Sequence, residues 1–493
     1  MNKMKTKMSL FPYLFLIAVF MIAPMCAQET VGIDWDRVEQ ISKTTPTLQL
    51  VENPKVRPSS SIHKEIFKAL KDLNADFVRY VPWFPYPKMA VAELKAPTKN
   101  ETFWNFTYLD CTMNAFMEAT KGHPVVINFS TTPAWMWKTD SIVEYPENPY
   151  EPTWTYNQGT ELRDSTMKEL TGYYTRLFSW YTKGGFTDEL GKFHDSGHFY
   201  NIPYWEVLNE PDLEHNISPE LYTKMYDAIV LELKKISPKT KFVGISTAHV
   251  SNPEFFEYFL NPKNHKGEIS LEGISYHFYS TPSYSNQSIE NFQYTAFEKA
   301  DCFIDKVKYI ENIKKRLAPE VFTMINEIGI ILRRPTESGP IPNEFWNLAG
   351  SMYAHIFLEL SKIGIDVAGE SQLVGYPTQF PDVSMVNWDT GTPNARYWVL
   401  KLLKDNFGPG DQLVYTSISG SVIDAQAFLT KRGKRILLIN KKNKDVKILL
   451  PSEIKNGIIY SVDTSTHESE AKKYSLNSNS ITLKPFSVSV IEL

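Results

Sequence analysis

The chain has 493 residues, 42% of them hydrophobic and 13% aromatic, with a formal net charge of −4. That length exceeds one ordinary domain and suits a large barrel with a smaller module. The small net charge and the absence of a long basic run argue against nucleic acid as a partner.

At the start, Lys3, Lys5 and Lys7 precede an apolar run from Leu10 to Met21, followed by Ala23-Pro24-Met25-Cys26-Ala27-Gln28. A short apolar run in this position reads as a cleaved signal peptide, residues 1–27, rather than a membrane span. The mature chain is then expected to begin at Gln28 and to be secreted or periplasmic in a bacterium. Cys26 offers a second reading, a lipid-anchored outer-membrane protein. Met25 counts against it, because bacterial lipoprotein signals place a small residue before the cysteine. After cleavage only Cys111 and Cys302 remain, too few for a disulfide framework and without metal-ligand spacing. Buried small apolar residues are the expectation for both, with a single bridge between them left open.

Residues 28–58 have no helical cycle of their own and are expected to lend a strand to the C-terminal module. From residue 59 to 407 helix-like and strand-like segments alternate. Ile66–Leu73 has helical apolar spacing, and Phe77–Val81 follows as a strand stopped by Pro82. Val125–Ser130 is the next buried strand. A long amphipathic stretch near 160–183 leads to Tyr204-Trp205-Glu206-Val207-Leu208-Asn209-Glu210-Pro211, where the proline is expected to end the strand just past Glu210. A helix from Pro219 to Ile236, with Ser218 as N-cap and Glu220 in its first turn, precedes the strand Phe242–Ser246. Gly273–Tyr279, Val321–Gly329 and Ile365–Gly369 are further strands, separated by helices near 294–316 and 344–362. Seven or eight such cycles predict a closed, parallel (β/α)8 TIM barrel. After Gly408-Pro409-Gly410 the grammar changes to short alternating strands and polar turns, predicting an antiparallel β-sandwich over 411–493.

Two strands end in Asn-Glu, at Asn209-Glu210 and Asn326-Glu327. Carboxylates at the C-terminal mouth of a barrel are placed for catalysis, and a pair of them is what glycosidic bond cleavage needs. One must hold a proton for the leaving oxygen while the other stays ionised. The assignment is Glu210 as acid/base and Glu327 as nucleophile. Asn209 can donate its amide to a sugar hydroxyl, Arg79 can hold Glu327 ionised, and His277 and Tyr279 end another strand, with the tyrosine hydroxyl in reach of Glu327. No cofactor and no metal are called for, and a metal-dependent hydrolase lacks a His/Asp cluster at ligand spacing.

In these residues the chain resembles clan A glycoside hydrolases, and most of all family 39, which includes β-xylosidases and α-L-iduronidases. The motifs are Asn209-Glu210-Pro211, Glu327, Phe77-Val78-Arg79-Tyr80-Val81-Pro82-Trp83 and the trailing sandwich. The resemblance implies acid/base and nucleophile on strands four and seven, with retention of anomeric configuration. It also implies a histidine at the end of strand three, where this chain reads Ile127-Asn128-Phe129-Ser130. Ser130, Trp135 and Trp137 are the nearby candidates for sugar contact. A tryptophan after strand eight is replaced by Glu370-Ser371-Gln372-Leu373, with Trp388 only later.

The expected activity is therefore retaining hydrolysis of plant or host glycans, as β-xylosides, β-galactosides or α-L-arabinosides. Action is expected to be exo if the Pro-, Trp- and Tyr-rich inserts at 84–110 and 138–165 block one end of the cleft. An iduronide would call for cations such as Arg333 and Arg334. The competing reading is a catalytically silent carbohydrate-binding barrel. Oligomeric state is not legible.

Overall fold

The computed structural model describes residues 28–154, 159–267, 269–333, 337, 339–376 and 380–493. The expected signal peptide with Cys26 lies outside them, as does Arg334. In chain order the strands are β1 (Glu29–Ile41), β2 (Thr45–Val51), β3 (Val78–Val81), β4 (Val125–Ile127), β5 (Gly185–Thr187), β6 (Phe193–Asp195), β7 (Tyr204–Glu206), β8 (Lys241–Thr247), β9 (Gly273–Ser280), β10 (Phe322–Ile330) and β11 (Val367–Glu370). The remaining strands are β12 (Gln412–Ile418), β13 (Ile423–Thr430), β14 (Gly433–Asn440), β15 (Val446–Leu449), β16 (Gly457–Val462), β17 (Lys472–Leu476), β18 (Ser480–Leu483) and β19 (Val488–Glu492). The helices are α1 (His63–Leu73), α2 (Pro87–Ala90), α3 (Thr107–Ala119), α4 (Lys168–Thr182), α5 (Pro219–Ile236), α6 (Pro253–Phe259), α7 (Ile289–Leu317), α8 (Asn343–Ile363) and α9 (Ala395–Asn406).

Strands β2, β3, β4, β7, β8, β9, β10 and β11 form a closed parallel barrel, with β11 returning to β2. The alternation of strand and helix dictates this, because parallel neighbours need a crossover and helices cover the outer face. Local signals agree with the tertiary result at α5. Pro219 opens it, Ser218 Oγ accepts the Leu221 N–H at 3.3 Å, and Glu220 sits in the first turn.

The barrel starts earlier than residue 59. Thr45–Val51 is its first strand, paired with β3 through Gln49↔Arg79 and with β11 through Leu48↔Glu370. The sequence hides this strand because no helix precedes it and its polar Thr47 and Gln49 face inward, where both are buried. Only the preceding β1 joins the second module, antiparallel to β12 and parallel to β15.

That module is an antiparallel sheet domain with strand order β17-β16-β19-β14-β13-β12-β1-β15-β18. It encloses Val31, Val414, Ile436, Leu438, Ile448 and Ile491, while the intervening Leu413, Leu437, Ile439 and Val490 face the other way and join the core of the barrel. Cys111 on α3 and Cys302 on α7 are both exposed and free, which corrects the expectation of burial and removes the bridge. Among the described residues no helix is long and apolar enough to cross a membrane.

Inside the barrel two layers follow one another. Val126, Val243, Met324 and Val367 form an apolar plug, closed by Phe77, Tyr204 and Phe322. Above it the inward positions turn polar, with Gln49, Arg79, Asn128, Glu206, Ser275 and Asn326 all buried. A polar layer in a barrel core is costly unless every group is paired, so its pairing defines the site.

Candidate active site

Arg79 is the hub. Its guanidinium is 1% exposed and uses all its donors: Nε to Glu206 Oε2 (2.5 Å), Nη1 to Gln49 (2.6 Å) and Glu327 Oε1 (2.5 Å), Nη2 to Asn209 Oδ1 (2.6 Å) and Ser246 Oγ (3.2 Å). Arg79 is not among the residues that line the cleft and acts by positioning its carboxylate partners. Glu206 is fully buried and also accepts from Ser275 Oγ (2.5 Å), Asn326 Nδ2 (2.6 Å) and Asn128 Nδ2. Burial alone would raise its pKa, but the Arg79 charge and these hydrogen bonds hold it below the ordinary value. Glu206 is a member of the site that the Asn-Glu strand ends alone do not pick out. A lone charge in an otherwise apolar strand was the signal, since a strand buried on both faces cannot carry one unpaired.

Glu210 does not lie in the strand proper. The β7 ladder ends at Glu206, because Leu208 and Glu210 take left-handed backbone at φ 62° and 41°. Two bonds to β8 carry the chain on, from Val207 N to Val243 O and from Glu210 N to Ser246 O, at 3.0 and 2.8 Å. Strain of this kind in non-glycine residues persists only where the surroundings fix it, and it collects at functional sites. β8 answers with Ile245 and Ser246, also left-handed, and a register shift before Thr247. β10 carries a second shift between Ile325 and Glu327. This bulge lets neighbouring residues Asn326 and Glu327 both reach inward partners, Glu206 and Arg79.

His277 stands between the two glutamates. Its Nδ1 lies 2.7 Å from Glu210 Oε1 and its Nε2 3.6 Å from Glu327 Oε1. Tyr279, the next inward residue of β9, donates to Glu327 Oε2 at 2.6 Å and meets Ser371 Oγ at 2.6 Å. Burial raises the pKa of Glu210, aided by the charge of Glu327 and opposed by His277. Burial would raise Glu327 too, but the charges of His277 and Arg79 and the Tyr279 hydrogen bond outweigh it and hold it below the ordinary value. Burial would lower His277, yet Glu327 and the Glu210 hydrogen bond raise it. Arg79 and His277 thus share one buried, mutually interacting cluster with Glu206, Glu210 and Glu327. Two similar carboxyls are driven apart in acidity, which is the condition for one acid and one nucleophile.

Glu210, His277 and Glu327 each offer a donor atom, all within 4.8 Å of one another. The sequence showed no such cluster because the three come from different strands. Both oxygens of Glu327 already accept a hydrogen bond, from Arg79 and Tyr279, and Nδ1 of His277 meets Glu210.

The cleft above has a volume of about 540 Å³ and is lined by Asn209, Glu210, Tyr279 and Glu327 together with Gln49, Trp83, Phe84, Trp154, Glu214, His249, Gln372 and Phe380. Four rings cluster on one wall, with Trp83 at 4.9 Å from Phe84, 5.5 Å from Trp154 and 6.2 Å from Phe380. No Lys or Arg is among the described lining residues. Arg333 is turned to Asp382 at 2.9 Å.

Two expected sugar contacts are elsewhere. Ser130 Oγ is buried on the carbonyl of Pro82 at 2.6 Å. Trp135 donates to the Glu93 carbonyl at 2.9 Å and stacks under Arg163. Neither they nor Trp137 and Trp388 line the cleft. In place of a histidine on the third barrel strand, Asn128 turns inward to Glu206 and to the Leu208 carbonyl at 2.9 Å. It supports the acid/base loop instead of meeting substrate.

No family model matches the chain, and no curated protein does. Solved structures match along its length. The α-L-arabinofuranosidase of Thermotoga maritima, solved with arabinose, is 14% identical with a TM-score of 0.64, over 94% of this chain and 100% of that one. The GH51 arabinofuranosidase of Xanthomonas axonopodis pv. citri is 13% identical at 0.64, over 94% and 99%. A GH30 endoxylanase of Clostridium papyrosolvens is 13% identical at 0.54, over 94% and 99%. The shared property is the fold, a TIM barrel with a C-terminal β-sandwich.

Proposed function

We propose that the protein is a retaining glycoside hydrolase, with Glu210 as acid/base and Glu327 as nucleophile. The observation that carries this reading is the pair of carboxyls, Glu210 half-buried and Glu327 buried, with oxygens within 4.8 Å of each other and acidities shifted in opposite directions. Retaining enzymes hold the pair about 5–5.5 Å apart, whereas inverting ones leave about 6.5–9.5 Å for a water. Glu327 attacks the anomeric carbon while Glu210 protonates the departing oxygen. Glu210 then takes a proton from the water that releases the sugar. Tyr279 and Arg79 keep Glu327 ionised and aimed.

The substrate is a neutral glycoside. A uronate would need a cation, and the described lining has Glu210, Glu214 and Glu327 but no Lys or Arg. Arabinofuranosides and xylosides head the panel to be tested, because the structural neighbours include arabinofuranosidases and an endoxylanase. Family 39 in particular rests on the sequence motifs alone. The compact cleft and its ring-lined wall favour exo action on short chains. Export, with Gln28 as the mature N-terminus, is part of the same proposal and is checked by N-terminal sequencing of the protein from its native host.

The test is hydrolysis of aryl β-D-xyloside, β-D-galactoside, β-D-glucoside, α-L-arabinofuranoside and α-L-iduronide by wild type and Glu210→Ala. One neutral member is turned over, the mutant falls by about 10²–10⁴-fold, and azide restores it. The pH profile has its acid limb below the ordinary carboxyl value of 4.5, as Glu327 must be ionised, and its alkaline limb above it, as Glu210 must be protonated. Sugar binding without turnover of any glycoside would instead favour the silent barrel.

A further inference from the structure

A third carboxylate belongs to the cleft and has no place in double displacement. Glu214 follows Glu210 in the loop after β7, and its backbone N–H donates to the Glu210 carbonyl at 2.7 Å. Its Oε1 accepts two hydrogen bonds, from Asn209 Nδ2 at 2.8 Å and from Trp83 Nε1 at 2.7 Å. One oxygen therefore ties the amide beside the acid/base to the indole that anchors the aromatic wall.

This changes what Asn209 can do. On its other side the amide oxygen accepts from Arg79 Nη2 at 2.6 Å. Arg79 can only donate, which turns the amide oxygen toward it and the amide nitrogen toward Glu214, so the amide has one permitted orientation. One Nδ2 hydrogen is committed to Glu214, and Asn209 lines the cleft next to Glu210, where the second hydrogen can serve a bound sugar. Without Glu214 the anchors that remain, Arg79 and Ser246, both hold the amide oxygen and leave the N–H pair unheld. A hydrogen bond to the sugar hydroxyl next to the reacting carbon strengthens in the transition state, so its geometry bears on rate.

We propose that Glu214 is a positioning residue, which fixes Asn209 and Trp83 so that the free amide N–H meets the hydroxyl adjacent to the anomeric carbon. This inference rests on the glycosidase reading. The experiment compares wild type, Glu214→Ala, Glu214→Asp and Glu214→Gln on the best aryl glycoside and on its 2-deoxy counterpart. On the full sugar Glu214→Ala loses about 10–100-fold, mostly in kcat, as expected for a misplaced group. On the 2-deoxy sugar the loss is at most about threefold, because the hydroxyl that Asn209 serves is gone. Glu214→Gln, whose carbonyl still accepts from both donors, recovers most of the rate. Glu214→Asp keeps the charge but draws the oxygen back by one methylene, so it shows the same selective loss even where the alanine variant does not fold. Equal losses on both sugars, or none on either, overturn the inference while the wild-type activity still stands. A wild type inactive on every glycoside removes the glycosidase reading itself, and the inference with it.

Discussion

The interior of the sandwich and the upper interior of the barrel are built by opposite rules. The sandwich core is Val, Leu and Ile at alternate strand positions, with Leu438 and Ile491 fully buried. The barrel above its apolar plug holds Arg79, Glu206, His277, Glu210 and Glu327 in mutual contact, on strands broken by bulges and left-handed residues. The second arrangement sacrifices regularity and apolar packing for a paired charge cluster, and such local violations are expected where a protein does chemistry.

If the two interiors serve different ends, activity and stability should separate under mutation. Glu327→Ala should abolish turnover, by about 10⁴-fold or more, while thermal unfolding stays within a few degrees, because Arg79 keeps Glu206, Gln49 and Asn209. Parallel melting and kinetic measurements decide this, and a large drop in Tm would break the contrast. The reverse is expected of Leu438→Ala, fully buried in the sandwich. It should cost about 2–5 kcal/mol of stability and leave kcat of the folded enzyme unchanged.

A third change probes the seam. His355 on α8 lies between Asp301 on α7 and Asp424 on β13, at 2.9 and 2.7 Å, with Lys441 also on Asp424. Burial would lower His355, but the two aspartates raise it to about 9, while Asp424 falls to about 2 because His355 and Lys441 outweigh its burial. His355 thus contributes stability that is complete below its unfolded value of 6.5 and fades as pH rises through about 9. Asp424 contributes stability that is complete above 3.8 and fades as pH falls through about 2. His355→Ala should cost about 1–3 kcal/mol near pH 6, and much less at pH 10. Equal Tm losses at the two pH values would show that the charge does not matter.

The smallest effect expected is at Gly329. A Cβ there would sit 2.4 Å from the Tyr279 ring, so Gly329→Ala must push the ring away from Glu327. A loss in kcat of about tenfold, with the acid limb of the pH profile moved upward as Glu327 loses a donor, would tie the phenol to the nucleophile.

Much of the fold was legible because it rests on periodicity. Strand and helix alternation gives a parallel barrel, and the shift to short alternating strands past Gly410 gives the sandwich, since local pattern decides which faces must be buried. Asn209, Glu210, His277, Tyr279 and Glu327 could be picked out because they lie in or just past the C-terminal halves of strands whose outlets share one mouth. What the sequence could not decide were relations between distant segments. That Thr45–Val51 opens the barrel, that Glu206 balances Arg79, and that Ser130 and Trp135 serve loops instead of sugar depend on which side chains meet across the barrel. So does the division of labour between two chemically equal glutamates. Acidity is set by burial and neighbouring charge, and only closure of the barrel places His277 between Glu210 and Glu327.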